Sequence, residues 1–187
     1  MKVQRGEFGY INTRKKKALI GTLLMVAIGV AVFLVGLFLN DMSKQNVFTV
    51  AAVLFVLPGA KFLVRFIVTF PFHSVEKERY DKVADVLPEQ MELYTDLVIT
   101  SSEKVMHLDF AAVGNGQVIG LLGDGKQEIS YVRKYLTTGV HNWGSDYKVK
   151  ILDSEKTFLG ELAKVEPCEV DEEEESNVKS YLLSLII

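Results

Sequence analysis

The sequence has a single cysteine, Cys168, among its 187 residues. One thiol excludes an intramolecular disulfide framework, and Cys168 lies among acidic residues rather than in the electropositive surroundings of a catalytic thiol. Histidine is almost as scarce. His73, His107 and His141 are scattered, without metal-ligand spacing, and read singly as surface or hydrogen-bonded residues. Internal repeats are absent, and the only low-complexity stretch is the acidic run EVDEEEES. Basic charge is also lacking where a nucleic-acid surface would need it. Residues 71–187 hold 12 Lys and Arg against 22 Asp and Glu, a balance of −10 that repels phosphate backbones and anionic lipid surfaces.

Charge is missing altogether from Ala18 to Leu39, an uninterrupted run of 22 residues. As a helix it spans roughly 33 Å, enough for a bilayer core, and it is too long for the apolar region of a signal peptide. A second apolar segment, residues 47–70, carries Lys61 and Arg65 near its far end, where long side chains reach the headgroups. Neither cation has an acidic partner in the first segment, so an intramembrane ion site is not indicated. The spacing of Thr22, Gly29 and Gly36 predicts a smooth seam along which the two helices approach, a face that could also pair two protomers.

The remaining charge sets the orientation. Residues 1–17 carry six basic side chains against Glu7, whereas in the loop 40–46 Asp41 and Lys44 cancel. The positive-inside rule therefore predicts a basic cytoplasmic N-terminus (1–17), a transmembrane hairpin (18–70, with spans 18–39 and 47–70) and a cytoplasmic domain (71–187).

Within that domain, Ser74 is expected to cap a helix through residues 75–87, where Val75, Tyr80, Val83, Ala84 and Leu87 recur with helical spacing before Pro88. MELYTDLVIT, KVMHLDFAAV and QVIGLL read as three strands in hairpin succession, the last two joined at GNG. On the second strand, alternation places Met106, Leu108, Phe110 and Ala112 on one face and His107 and Asp109 on the other. QEISYVRKYLTT reads as a helix ended by Gly139, YKVKILDS as a fourth strand, EKTFLGELAKV as helix or strand, and SNVKSYLLSLII as a last helix. The expected fold class is α/β: a two-helix transmembrane hairpin, then a small domain with a mixed sheet in the order helix-strand-strand-strand-helix-strand.

GLLGDGKQ, residues 120–127, satisfies the phosphate-loop pattern GxxxxGK[ST] except at its last position, where Gln127 replaces the magnesium-ligating hydroxyl. Such a loop normally follows a buried parallel strand in a larger domain, whereas QVIGLL is short and follows a hairpin, so nucleotide binding is disfavoured.

The element order and the residues Asp109, Asp124 and Lys126, the last two within DGK, resemble the core of the PD-(D/E)xK nucleases, and Gln127 with Tyr131 is similar to a QxxxY pattern of some members. The resemblance covers roughly residues 74–153 and implies a magnesium site on Asp109 and Asp124, with Lys126 beside it. If the first hairpin turns about residues 102 and 103, Asp96 faces Asp109, and two such carboxylates repel unless a cation, a proton or water separates them. Asp96, Asp109 and Asp124 are thus the candidate metal ligands. Against this, Gly123 and Gly125 flank Asp124 and indicate a strand already ended, making Asp124 a turn or cap residue. A degenerate core of the same topology fits better.

The opening MKVQRGEFGYI and the overall layout resemble uncharacterised two-helix membrane proteins of Gram-positive bacteria, which implies no activity. The expected function is a membrane-tethered, non-catalytic cytoplasmic interaction or accessory domain without a cofactor, binding a protein partner or a second copy and not nucleic acid. The alternative is a membrane-anchored magnesium nuclease.

The charge pattern makes one testable statement about topology. With Cys168 replaced, a probe cysteine at Ser43 should react with an impermeant thiol reagent in intact cells, and one at Ser176 should not; the opposite pattern would invert the orientation.

Overall fold

A computed structural model describes residues 3–123, 125 and 127–187. The chain forms two compact units, one of residues 12–71 and the other of the segment up to Ile11 together with Phe72–Ile187.

The first unit is a helical hairpin. Helix α1 (Tyr10–Leu39) is followed by α2 (Val47–Leu54) and α3 (Val56–Thr69). The break between α2 and α3 has a local cause, because Pro58 lacks an N–H and its ring crowds the carbonyl four residues earlier, at Leu54. Asn46 caps α2 by accepting from the Thr49 N–H at 2.9 Å. The amides of Asn40 and Asn46 both donate to the Gly36 carbonyl, at 2.9 and 3.2 Å, which satisfies an acceptor near the end of α1. By length and composition, α1 and the segment Val47–Thr69 could each cross a membrane. Within the chain, 6% and 11% of their most apolar windows are buried.

The predicted seam is present. A Cβ on Gly36 would overlap the Phe48 Cβ, and one on Gly29 would lie 3.4 Å from the Ala52 carbonyl oxygen. Gly21 similarly packs under the Phe62 ring.

The second unit is an α/β domain of helix α4 (Lys77–Val86), strands β1 (Met91–Thr100), β2 (Val105–Gly114) and β3 (Gln117–Leu122), helix α5 (Ile129–His141), strand β4 (Lys148–Leu152), and helices α6 (Glu155–Leu162) and α7 (Glu172–Leu185). The sheet order is β1-β2-β3-β4, antiparallel across the first three strands and parallel between β3 and β4, with α5 as the crossover. The fold class and element order therefore match the sequence reading. At the β2–β3 turn, Asn115 and Gly116 both have positive φ, 53° and 69°, as a two-residue hairpin with the twist of its strands requires.

Two apolar clusters sandwich the sheet. One joins Leu97, Ile99, Met106, Leu108, Ala111, Val113 and Val118 to Val132 and Leu136 of α5 and Val178 and Leu182 of α7. The other joins Met91, Phe110, Ala112, Ile119 and Leu121 to Val83 of α4 and Phe158 and Leu162 of α6.

Met106 and Leu108 thus face one cluster, and Phe110 and Ala112 face the other, which corrects the single face expected for all four. The cause is a bulge. Pairing with β3 shifts between Leu108 and Phe110, leaving Asp109 as an extra residue, so the pleat changes phase there. Strand β1 changes phase alongside it at Asp96, whose φ is 59°. Its residues pair with β2 on the anticipated register, Thr95 with Phe110 and Leu97 with Leu108, but Asp96 and Asp109 are not ladder partners.

Three further expectations need revision. Ser74 does not cap α4, whose N-cap is Glu76. Helix α5 continues through Gly139 to His141; that glycine is not in the left-handed conformation of a helix end but makes room for Tyr181 of α7, since a Cβ there would overlap the phenol ring. Helix α7 starts inside the acidic run, with Asp171 as its cap and Glu172–Glu175 in its first turn, where the helix dipole favours carboxylates. The segment from Glu155 is helix, not strand.

The seam can be graded by substitution. Gly36→Ala should lower the thermal stability of the detergent-solubilised protein clearly, Gly29→Ala much less, and Val30→Leu, on a side chain 52% exposed, hardly at all. Equal losses at all three positions would show that the glycines do not set the helix approach.

Candidate functional site

The bulge gathers the polar residues of the sheet. His107 and Asp109 are 3% and 5% exposed, deep enough that a charge there requires a partner. That partner comes from α4. Within α4, Arg79 lies one turn before Val83, whose side chain is buried against the sheet, and this shared face carries Arg79 over the sheet. Its Nη1 donates to Asp109 Oδ2 at 2.8 Å and its Nε to Glu155 Oε2, in the first turn of α6, at 2.6 Å. The guanidinium also lies over the Phe110 ring, 5.6 Å from its centroid. Burial pulls the Arg79 pKa down, but hydrogen bonds and charges from Glu155 and Asp109 more than offset it, and the net direction is up. One arginine thus joins β2, α4 and α6.

On its other side, Asp109 Oδ1 lies 3.8 Å from His107 Nε2, and the His107 ring packs against Phe72 with centroids 4.9 Å apart. Gly123 closes the group. A Cβ on it would overlap the His107 ring and lie 2.6 Å from Asp109 Oδ1, so only glycine lets the backbone pass here.

Gln127 is tied down by the same strand. Its Oε1 accepts from the His107 N–H at 2.7 Å, and its Nε2 donates to the carbonyls of His107 and Gly123, at 2.8 and 3.1 Å. The side-chain amide therefore prolongs the β2–β3 ladder beyond Leu122. Tyr131, the other member of the QxxxY pattern, shares a hydrogen bond with Ser101 across 2.8 Å. Both residues serve the packing of α5 against the first hairpin.

Asp96 is engaged elsewhere. Its Oδ2 accepts from the Ile11 N–H at 3.1 Å and its Oδ1 from the Val75 N–H at 3.2 Å, with further hydrogen bonds from the Ser74 side chain and the Gly9 backbone. The residue is fully buried, and burial pushes its carboxyl above the usual aspartate range although all four hydrogen bonds pull the other way.

Of the residues singled out in the sequence, Asp109 lies in the cluster and Asp96 lies in its own donor set; Asp124 and Lys126 fall outside the described residues. Among the described residues, no group of three or more His, Cys, Asp or Glu could hold a metal ion. His141 bonds the Tyr147 carbonyl, Trp143 is half exposed and stacks on Tyr181, and Cys168 is exposed.

Sequence reading missed Arg79 and Glu155. A signal existed for the first, since a charge in the middle of an apolar i, i+4 stripe implies a buried counter-charge; Glu155 has no local mark. No family model matches the chain, and no curated protein or solved structure matches it.

The Arg79–Asp109 pair can be tested by a double-mutant cycle. Arg79→Met should destabilise the protein by about 2–3 kcal/mol, below the ~3–5 kcal/mol of a fully enclosed pair because the Arg79 side chain remains 29% exposed. Added to Asp109→Asn, the same substitution should cost distinctly less. Additive losses would mean that the two residues act independently.

Proposed function

We propose that the chain is a membrane-anchored interaction or accessory protein whose α/β domain binds a protein partner or a second copy and carries out no catalysis. The observation that carries this reading is the Arg79 guanidinium 2.8 Å from Asp109 Oδ2. A nuclease of the type considered needs that carboxylate to face a hard divalent cation. Here a protein cation holds one of its oxygens, and Glu155 balances the arginine in turn. The ensemble is a charge-compensated structural clamp. The surplus of acids in residues 71–187 adds to this by opposing the approach of a phosphate backbone.

Localisation follows from two supports. Two helices of sufficient length separate residue 11 from residue 72, and the segments on either side of them pack into one compact unit. A double crossing returns the chain to the side from which it started, and the packing of the two flanking segments into one unit supports it. The basic excess of residues 1–17 then favours the cytoplasmic side for both.

A second reading, the membrane-anchored magnesium nuclease using Asp109, Asp124 and Lys126, is favoured by one observation. The backbone at Gly123, immediately before the DGK motif, runs in contact with Asp109 and His107.

The two readings separate by melting full-length protein in detergent with magnesium or manganese and incubating it with single- and double-stranded DNA and RNA. The interaction reading expects neither a metal-dependent rise in Tm nor cleavage. A rise abolished by Asp109→Asn, with cleavage lost in both Asp109→Asn and Lys126→Ala, would establish the enzyme instead.

A further inference from the structure

Strand β1 ends the sheet, so among the described residues its outer backbone edge has no strand partner. Two other segments cover it. The Thr95 N–H donates to the Gly6 carbonyl at 2.8 Å; further along, Ile99 bridges Ile186 and the Ile187 N–H donates to the Val98 carbonyl at 3.1 Å. The covering segments are joined to each other, for Tyr10 Oη donates to the Ile187 carbonyl at 2.9 Å.

Residues 3–11 have little internal structure to hold them there. Their own backbone bonds are short-range turns, Glu7 to Gln4 and Tyr10 to Glu7, with Gly6 and Gly9 at positive φ. What docks them is tertiary: Ile11 is 1% exposed, Phe8 packs on Tyr80, and Gly6 fits between Leu183 and Tyr94, where a Cβ would lie 2.9 Å from each. Helix α1 begins immediately after Gly9, which has no side chain with which to cap it. The first-turn N–H groups of a helix need acceptors, and for Ile11 the acceptor is Asp96, 85 residues away.

We propose that Asp96 is the latch of an internal strap: it holds residues 3–11 over the β1 edge and residues 74–75 beside them, so that the strap docks or releases as one piece. The geometry makes half-docking unfavourable. Ile11 cannot stay buried with its N–H unsatisfied, and the carboxylate cannot stay buried after losing its donors. Removing either side therefore releases both. A released strap uncovers the edge of β1 around Thr95, the kind of unpaired backbone on which another strand can add.

Hydrogen exchange on the full-length protein in detergent tests this, comparing wild type with Asp96→Asn, Ser74→Ala and the surface control Asp81→Asn. An asparagine keeps one acceptor and turns a donor toward donors. The amides of residues 3–11, of Val75 and of Thr95 should then exchange roughly tenfold faster or more, and together, while β2, β3 and β4 keep their protection. Ser74→Ala, which removes one donor, should accelerate the same set by less, and Asp81→Asn should leave it unchanged. The latch is refuted if Asp96→Asn accelerates only Ile11, leaves the segment protected, or loosens all four strands alike. Should Asp96→Asn fail to fold, Ser74→Ala decides: concerted acceleration of that set supports the latch, and no change or a uniform loss overturns it.

Discussion

A strand gives each face of a sheet every second residue, so an unbroken β2 would commit Met106, Leu108, Phe110 and Ala112 to one side. The domain needs apolar side chains on both sides, since α5 and α7 cover one face and α4 and α6 the other. Changing phase within β2 meets that need, and the extra residue at Asp109 makes the change possible. A neighbouring strand must change phase at the same level or lose its pairing. That requirement falls on Asp96, which adopts a positive φ that aspartate tolerates better than a β-branched residue would. The two aspartates are thus where the sheet turns over, and each then needs a partner: Arg79 for Asp109, and the donors of Gly9, Ile11, Ser74 and Val75 for Asp96. A charged pair read as a cation site in the sequence is equally well what a coupled bulge leaves behind.

The legible parts of the structure were those written in short-range patterns. The strands 91–100 and 117–122 end where the turn residues say they should, and the GNG hairpin has the conformation its composition dictates. The register of the first hairpin follows from the position of its turn and holds on both sides of the bulge. The bulge itself has no local mark. Thr-Asp-Leu and Leu-Asp-Phe each fit an alternating strand, and only the demand from both helical layers, which comes from residues as distant as Phe158 and Leu182, selects the shift. Docking of residues 3–11 was missed for a related reason. Val3, Tyr10 and Ile11 are apolar residues outside the run needed for the membrane, and that surplus is the clue a sequence reading could have used.

Charge bookkeeping changes in the same way once positions are known. The −10 of residues 71–187 suggests a repelling surface, yet part of it has structural work to do. Asp171 accepts from the N–H groups of Glu173 and Glu174, Glu175 and Glu92 flank Lys179 at 2.8 Å, and Glu161 bridges Lys150 and Lys164. The Lys179 and Lys150 bonds hold Glu92 and Glu161 below the usual carboxylate range. Such partly exposed pairs add little stability one by one. Their effect is on pattern: the acids that face lysines are compensated locally, and the surplus of ten negative charges is carried by the remaining carboxylates.

The hairpin places a corresponding limit on self-association. Small residues let transmembrane helices approach, and a glycine face left open would be the natural place for a second copy. Gly21, Gly29 and Gly36 all lie against the second span of the same chain, at Phe62, Ala52 with Phe55, and Phe48, while Gly59 of that span lies against Met25. The close-approach surface is therefore already filled within one molecule. What the hairpin turns outward is large and apolar, including Val26, Val30, Leu34 and Phe38, residues that lipid solvates as well as another helix would. Small residues of both spans, Gly29, Ala52 and Gly59 among them, are thus used first in the packing of one span on the other within the chain.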